Sequence, residues 1–381
     1  MTLDEILGAA RRQTGLSEFA SESWREGLEI LLADHARTGM LNDVGRRWLT
    51  GMCTNALANR LQVDDFLRRN PQAAQAPVKR PVFILGMPRT GTTMLSYLMA
   101  ADPARRSLLK WEAYNLVPPA APGALTTDPR CVAEKAREQA MIKADPGQAA
   151  RHFEAADGPT ECVHLVAQDF KSLLLAVVST TPTYHDWLLF CDMTEAFAHR
   201  KRALQVLQST NPGLWTLKMP SDGLFIRTLF ATFPDAKVIW THRDPYVATA
   251  SIFSMRSHSR ARFNRDLDAA YMRERFPLQL ALHAQRPLEV SRERPGDFHH
   301  LYYDEMTADP LGQMKKIYAW LGDEWTPQAA AGMRGWLDEN PQGRFGVHSY
   351  SLAQWGLGKR DLEPYFADYL REHPVATGVE A

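Results

Sequence analysis

The sequence predicts an α/β protein: a parallel sheet with helices on both faces, three layers in all, preceded by a helical N-terminal region. Two observations carry this. Short apolar runs recur that suit strands buried on both faces: VFILG at 82–86, LWTLKMP at 214–220 and KVIWTHR at 237–243. Helical stretches lie between and after them, and strands that alternate with helices build parallel units.

Residues 1 to about 70 read as helical. Leu28, Leu31 and Leu32 repeat at i, i+3, i+4, and Trp48, Met52, Leu57 and Leu61 continue an apolar face. The Pro/Ala-rich segment NPQAAQAPVKRP (70–81) breaks that pattern and reads as a connector. The expected division is therefore a helical region over 1–75 packed on an α/β domain over 76–381. Residues 113–200 are mostly helical in pattern, with loop signals at PPAAPG and ADGP. A late helix starts at Asp309-Pro310, an N-cap followed by proline at the first helical position. It carries Met314, Ile317, Tyr318 and Leu321 on one face and stops at Gly322.

Composition narrows the class. The 381 residues hold 44 Lys+Arg against 44 Asp+Glu, so there is no basic excess of the kind nucleic-acid binders show. At 45% hydrophobic and 23% charged the chain is ordinary globular material. Cys53, Cys131, Cys162 and Cys191 lie far apart without CxxC spacing, which gives no disulfide framework and no zinc knuckle. The first residues lack an apolar signal core, and the longest apolar stretches are too short to span a bilayer. A cytoplasmic protein that does not cross a membrane is expected.

Gly86-Met87-Pro88-Arg89-Thr90-Gly91-Thr92-Thr93 follows the first strand and precedes a helix bearing Leu95, Leu98 and Met99. Against the P-loop pattern GxxxxGK[ST] it keeps both glycines and the final threonine, but Thr92 replaces the lysine. Loop amides, hydroxyls and a helix N-terminus still make an anion cradle. Without the lysine that reaches the outer phosphates of ATP, a triphosphatase is disfavoured. Arg89 puts a cation inside the loop instead, which suits one 5′-phosphate bearing a further anionic group. A second anion element follows in KVIWTHRDPYVATASIFSM (237–255), where Asp244 suits an N-cap and Pro245 the first helical position. Ser251 lies close to two turns on, so Arg243 and Ser251 can reach one anion at the sheet's carboxyl edge.

At these segments the sequence resembles the PAPS-dependent sulfotransferases, which take a sulfonate from 3′-phosphoadenosine 5′-phosphosulfate (PAPS) and release 3′,5′-adenosine bisphosphate (PAP). PVFILGMPRTGTTML looks like the family's 5′-phosphosulfate loop, and RDPYVATASIF looks like its 3′-phosphate element. The likeness extends through LKWEAYN (109–115), LKMP (217–220), 301–322 and, more faintly, HSYSLAQWGL (348–357). It is greatest to bacterial members with a helical N-terminal extension. The resemblance implies a P-loop-like fold and in-line sulfonate transfer; no metal is expected, because the His and Glu spacings lack a third ligand. It implies that Pro88, Arg89, Thr90, Gly91, Thr92 and Thr93 hold the phosphosulfate, and that Arg243 and Ser251 hold the 3′-phosphate. Arg344 stands where members of the family close an Arg- and Gly-containing segment over the nucleotide; an ordinary loop arginine is the other reading.

Lys218 matches a lysine that contacts the leaving phosphate or the sulfonate, though a lysine at a strand end is also a common solvated residue. Cytosolic small-molecule sulfotransferases carry a histidine two positions later, where this chain has Pro220. Glycan-type and several bacterial members use a glutamate instead, and Glu112 is the match; a Lys110/Glu112 surface pair beside Trp111 is the alternative. His152, His164 and His185 are further candidates, with Glu161 and His164 spaced to share a helix face. They would line the acceptor pocket or be ordinary structural groups. The acceptor's class, small molecule, lipid or glycan, is not readable, and neither is oligomeric state. A P-loop nucleotide kinase and a non-catalytic nucleotide-binding scaffold are the competing functions.

Overall fold

The computed structural model describes residues 1–144, 154–176, 178–341 and 351–377. Five parallel strands lie in the order β2-β3-β1-β4-β5, namely β1 Val82–Gly86, β2 Arg105–Arg106, β3 Leu214–Lys218, β4 Lys237–His242 and β5 Phe298–Tyr302. β1 sits at the centre, with Val82 opposite Lys237 and Gly86 opposite Thr241. All five of its residues are buried, as its unbroken apolar run requires. Alternation sends Phe83 and Leu85 into one apolar cluster with Leu217, Val238 and Trp240. Val82 and Ile84 enter the other, with Leu95, Leu98, Met99 and Ile317. The sheet is thus sandwiched, and the expected three layers are present.

The three expected strands are found. β2 and β5 lie at the sheet edges, and neither carries an unbroken apolar run. FHHLY alternates only loosely between buried and half-buried positions, and RR carries no apolar signal at all. The late helix runs Pro310–Leu321, with the Asp309 side chain accepting from the Gly312 amide and Gly322 left-handed at φ 70°. Helices Leu3–Thr14, Trp24–Thr38 and Asp43–Arg69 occupy the N-terminal region. Their buried Ile6, Leu28 and Leu57 share one apolar cluster with Phe170, Leu175 and Tyr184 from the middle of the chain. The connector forms one short helix, Pro71–Gln75. Among the described residues no helix is long and apolar enough to cross a membrane.

Candidate active site

The carboxyl ends of β1, β3, β4 and β5 deliver Gly86, Lys218, Arg243 and Tyr303 to one edge, where α/β sheets bind ligands. After β1 the chain must turn sharply into the helix Thr92–Ala100. Gly86 has φ 151°, and a Cβ there would stand 2.4 Å from the Thr241 hydroxyl, so no side chain fits. Gly91 caps the helix at φ 93°. Arg89 is held left-handed at φ 73°, a costly conformation for arginine that turns its side chain across the loop.

Arg89 joins the two anion elements. Its Nε donates to Ser251 Oγ at 3.1 Å, and its carbonyl accepts from Arg243 Nη1 at 2.9 Å. The Arg243 guanidinium also lies over the Tyr303 ring, 4.1 Å from its centre. The expected helix start after β4 is in place: Asp244 accepts from the Tyr246 amide at 2.8 Å, and Pro245 opens a helix that runs to Phe263. Thr90 turns inward rather than outward. Its hydroxyl donates to the Met87 carbonyl at 2.7 Å and lies 2.5 Å from the Thr241 hydroxyl, so it ties the loop to β4.

A cavity of about 400 Å³ opens at this edge, within the range of small-molecule sites. Pro88, Arg89, Gly91, Thr92 and Thr93 line its loop side, with Arg243 and Tyr303 beside them. Ile252, Met255, Arg256 and Ser259 line another wall from the helix Pro245–Phe263. Leu173, Leu174, Val163 and Phe276 make the apolar end, and Glu154, Glu161 and His164 complete the boundary.

Lys218 is brought to the site but not to the cavity surface. It is 1% exposed, and its ammonium meets Glu161 at 3.0 Å and Glu154 at 3.4 Å. Burial acts to lower its proton affinity, but the Glu161 and Glu154 carboxylates outweigh that and hold it above its ordinary value. Backbone geometry explains the meeting: Glu161 bridges to Lys218, the last residue of β3, and the Cys162 amide donates to the Lys218 carbonyl. The two carboxylates thus stand at the cavity wall with the lysine behind them.

His164 enters the same wall, three residues after Glu161 as the spacing implied. Its ring packs 4.7 Å from that of Tyr114, and its Nδ1 is buried with no hydrogen-bond partner among the described residues. Burial lowers its proton affinity, and Glu154 and Glu161 offset this only in part, so the imidazole is neutral at pH 7. Pro220 lines the cavity where the resemblance would have had a histidine.

Glu112 is not brought to the cavity, which corrects its expected role as base. It occupies the third position of the short helix Lys110–Tyr114, where its carboxylate accepts from the Leu109 amide at 3.3 Å and from Arg106 Nη2 at 2.5 Å. It is 1% exposed, and Arg106 stacks 4.8 Å over the Trp215 ring. The surface-pair alternative fails too, since Lys110 bonds to Glu138 and to the Glu154 carbonyl. Glu112→Gln is therefore expected to destabilise the fold by roughly 3 kcal/mol by leaving the buried Arg106 charge short of its partner. Urea unfolding checks this; unchanged stability with abolished turnover would restore the catalytic reading.

His185 is also elsewhere, buried with Nδ1 2.8 Å from the Tyr271 hydroxyl. Arg344 and His152 lie outside the described residues. Sequence reasoning missed Arg256, Tyr303 and Glu154. Arg256 had a signal: Ile252, Met255, Arg256 and Ser259 repeat at i, i+3, i+4, i+7 on the helix that begins at the second anion element.

A histidine cluster lies beside the site. His242 and His300 share a hydrogen bond of 2.9 Å between Nε2 and Nδ1, and His373 stacks on His242 with ring centres 4.1 Å apart. Their ligand atoms lie within 4.8 Å of one another. The ring planes fall within 31° of parallel, however, and in-plane lone pairs of near-parallel rings do not converge. The arrangement is a hydrogen-bonded stack closed by the Tyr369 and Tyr302 hydroxyls.

Burial pushes His373 down to about 4, and does the same to His35, His185 and His283. Each stays neutral in the folded chain while the unfolded chain protonates below about 6.5. Stability is therefore full above that pH and is lost as pH falls towards 4, at about 1 kcal/mol per group by pH 5.5. The melting temperature is expected to drop steeply between pH 7 and pH 5; a flat profile would contradict the burial of these rings.

The chain is 41% identical to sulfotransferase STF9 from Mycobacterium avium, whose crystal structure matches with a TM-score of 0.93 over 98% of this chain and 97% of that one. It is 28% identical to sulfotransferase STF1 from Mycobacterium tuberculosis, with a TM-score of 0.85 over 97% of this chain and 99% of that one. It is 27% identical over 262 residues to the omega-hydroxy-beta-dihydromenaquinone-9 sulfotransferase Stf3 of Mycobacterium bovis. That match takes in 64% of this chain and 62% of the relative's length. A sequence model of the sulfotransferase family matches residues 81–327, from just before the phosphate-loop strand to the start of the helix Pro327–Glu339. Since that match alone covers more than half of its length, the chain belongs to the sulfotransferase family.

Proposed function

We propose that this protein moves a sulfonate from PAPS to the hydroxyl of an apolar, lipid-like acceptor, in the cytosol. The observation that carries the reading is the junction at Arg89. One side chain links the loop suited to a 5′-phosphosulfate with the Arg243/Ser251 element suited to a 3′-phosphate, at the mouth of one cavity. A nucleotide with phosphates on both ribose ends matches that pair of sites. The first-turn amides of the helix Thr92–Ala100, free of intrahelical partners, with Thr92 and Thr93, would hold the 5′ end. Arg243 would hold the 3′-phosphate from its seat on Tyr303.

His164 takes the acceptor's proton. Glu161 and Glu154 are occupied by Lys218, whereas the His164 imidazole is neutral and lines the cavity wall. As the acceptor oxygen bonds to sulfur, the bond from sulfur to the 5′-phosphate oxygen breaks; the products are a sulfate ester, PAP and a proton. Lys218 is a positioning residue that fixes both carboxylates. Arg89 faces the charge that develops on the transferred group.

The acceptor class rests on the wall formed by Val163, Leu173, Leu174, Ile252, Met255 and Phe276. A relative named for a menaquinone-derived acceptor supports the same choice. Incubation with radiolabelled PAPS and two acceptor panels, long-chain or prenyl alcohols and free sugars, tests it. Label is expected in the alcohols. Transfer to sugars and none to alcohols would overturn the acceptor class.

A further inference from the structure

Arg256 is an exception among the arginines of this protein's interior. Arg60 is paired with Asp169, Arg106 with Glu112 and Arg200 with Asp222, while Arg260 donates to the Ser179 carbonyl and the Thr180 hydroxyl. Arg256 lines the cavity half-buried and makes no hydrogen bond or ion pair among the described residues. Its charged neighbours are Glu161, which attracts it, and Arg260 and Arg89, which repel it. Burial together with those like charges pushes the guanidinium down to about 10, still protonated at neutral pH. An unpaired, partly desolvated cation beside a second cation costs stability, and it is relieved when an anion arrives between them.

Position says which anion. Arg256 lies five residues beyond Ser251, about 7.5 Å further along the helix axis from the 3′-phosphate element at the helix start. It shares its face with Ile252 and Ser259, at the border between the phosphate loop and the apolar wall. In the donor, the group that lies between nucleotide and acceptor is the sulfonate. Lys218, the other candidate for that duty, stands behind Glu161 and Glu154 and does not line the cavity.

We propose that Arg256 binds the sulfonate oxygens of PAPS opposite Arg89, forming a subsite separate from both phosphate sites. This rests on the sulfonate-transfer reading above. The guanidinium offers several in-plane donors to the three sulfonate oxygens, and it stays with the group as the bond to the 5′-phosphate breaks.

Calorimetric affinities of wild type and Arg256→Met for PAPS and for PAP, without acceptor, test it, because the two nucleotides differ only in the sulfonate. Arg256→Met is expected to bind PAPS about tenfold more weakly and PAP within twofold of wild type. Its melting temperature without nucleotide is expected to equal or exceed that of wild type, since an unpaired charge is removed. Equal losses for both nucleotides would make Arg256 a phosphate ligand and overturn the proposal. So would unchanged PAPS binding, which would assign the residue to the acceptor. A lower melting temperature with both affinities reduced would mark a structural role and overturn it as well. Wild-type protein that bound neither nucleotide would overturn the donor reading itself, and the subsite with it.

Discussion

His164→Asn is expected to lower kcat about a thousandfold while leaving PAP affinity within twofold. General-base catalysis contributes about 10²–10⁴ in rate, and His164 is half-buried at the wall, whereas His283, the other histidine lining it, is fully buried with its Nδ1 hydrogen-bonded to the Gln279 carbonyl. Glu161 and Glu154 spend their charge on Lys218 at 3.0 and 3.4 Å, and Glu154 also accepts from the Thr160 hydroxyl. The His164 ring is neutral because burial outweighs the pull of those carboxylates, so it accepts a proton at neutral pH without first losing one. The pH profile follows. Since the imidazole's proton affinity is lowered from the usual 6.5, kcat/KM should be level above that pH and fall only on its acid side. Asparagine leaves the wall polar and of similar size, so folding should survive, which circular dichroism checks. Near-normal turnover in the variant would exclude the histidine and return the role to the carboxylates.

Arg243→Ala is expected to weaken PAP binding by at least a hundredfold with little change in melting temperature. Truncating one partner of a hydrogen-bonded charge pair costs about 2–5 kcal/mol when the other charge is left without it. Arg243 is half-buried at the cavity mouth, where the one described hydrogen bond of its guanidinium goes to the Arg89 carbonyl and its plane rests on Tyr303. Removing it therefore withdraws a preset cation from the ligand and leaves no buried charge stranded in the protein. Adenosine 5′-phosphosulfate, which lacks the 3′-phosphate, should bind wild type and variant alike. An equal loss for that ligand would place Arg243 at the 5′ end instead.

The parts of the site that were legible in the sequence are those that local chemistry fixes. Gly86 and Gly91 answer to backbone demands within a few residues, and Asp244-Pro245 is an N-cap with proline after it; both were readable and both stand where expected. The central strands were readable because burial on two faces leaves an unbroken apolar run, as in Val82–Gly86. The edge strand Phe298–Tyr302 answers to no such demand.

The chemistry at the acceptor side was harder because it depends on meetings across the chain. Glu161 reaches Lys218 from 57 residues away, and Glu154 from 64. Periodicity placed Glu161 and His164 on one face but carried no sign of what that face met. Glu112 was misjudged for the same reason. A match to a family motif says nothing of where the side chain points, and the fold turns its carboxylate to Arg106 and the start of its own helix. The histidine stack brings β4, β5 and the end of the helix Lys359–Glu372 together, which no spacing rule anticipates.

The most direct measurement is calorimetric binding of PAP set against ADP and ATP. The account predicts selective binding of PAP, because only that nucleotide fills the phosphate loop and the Arg243/Ser251 element at once. Preference for ATP, or binding of none of the three, would contradict it.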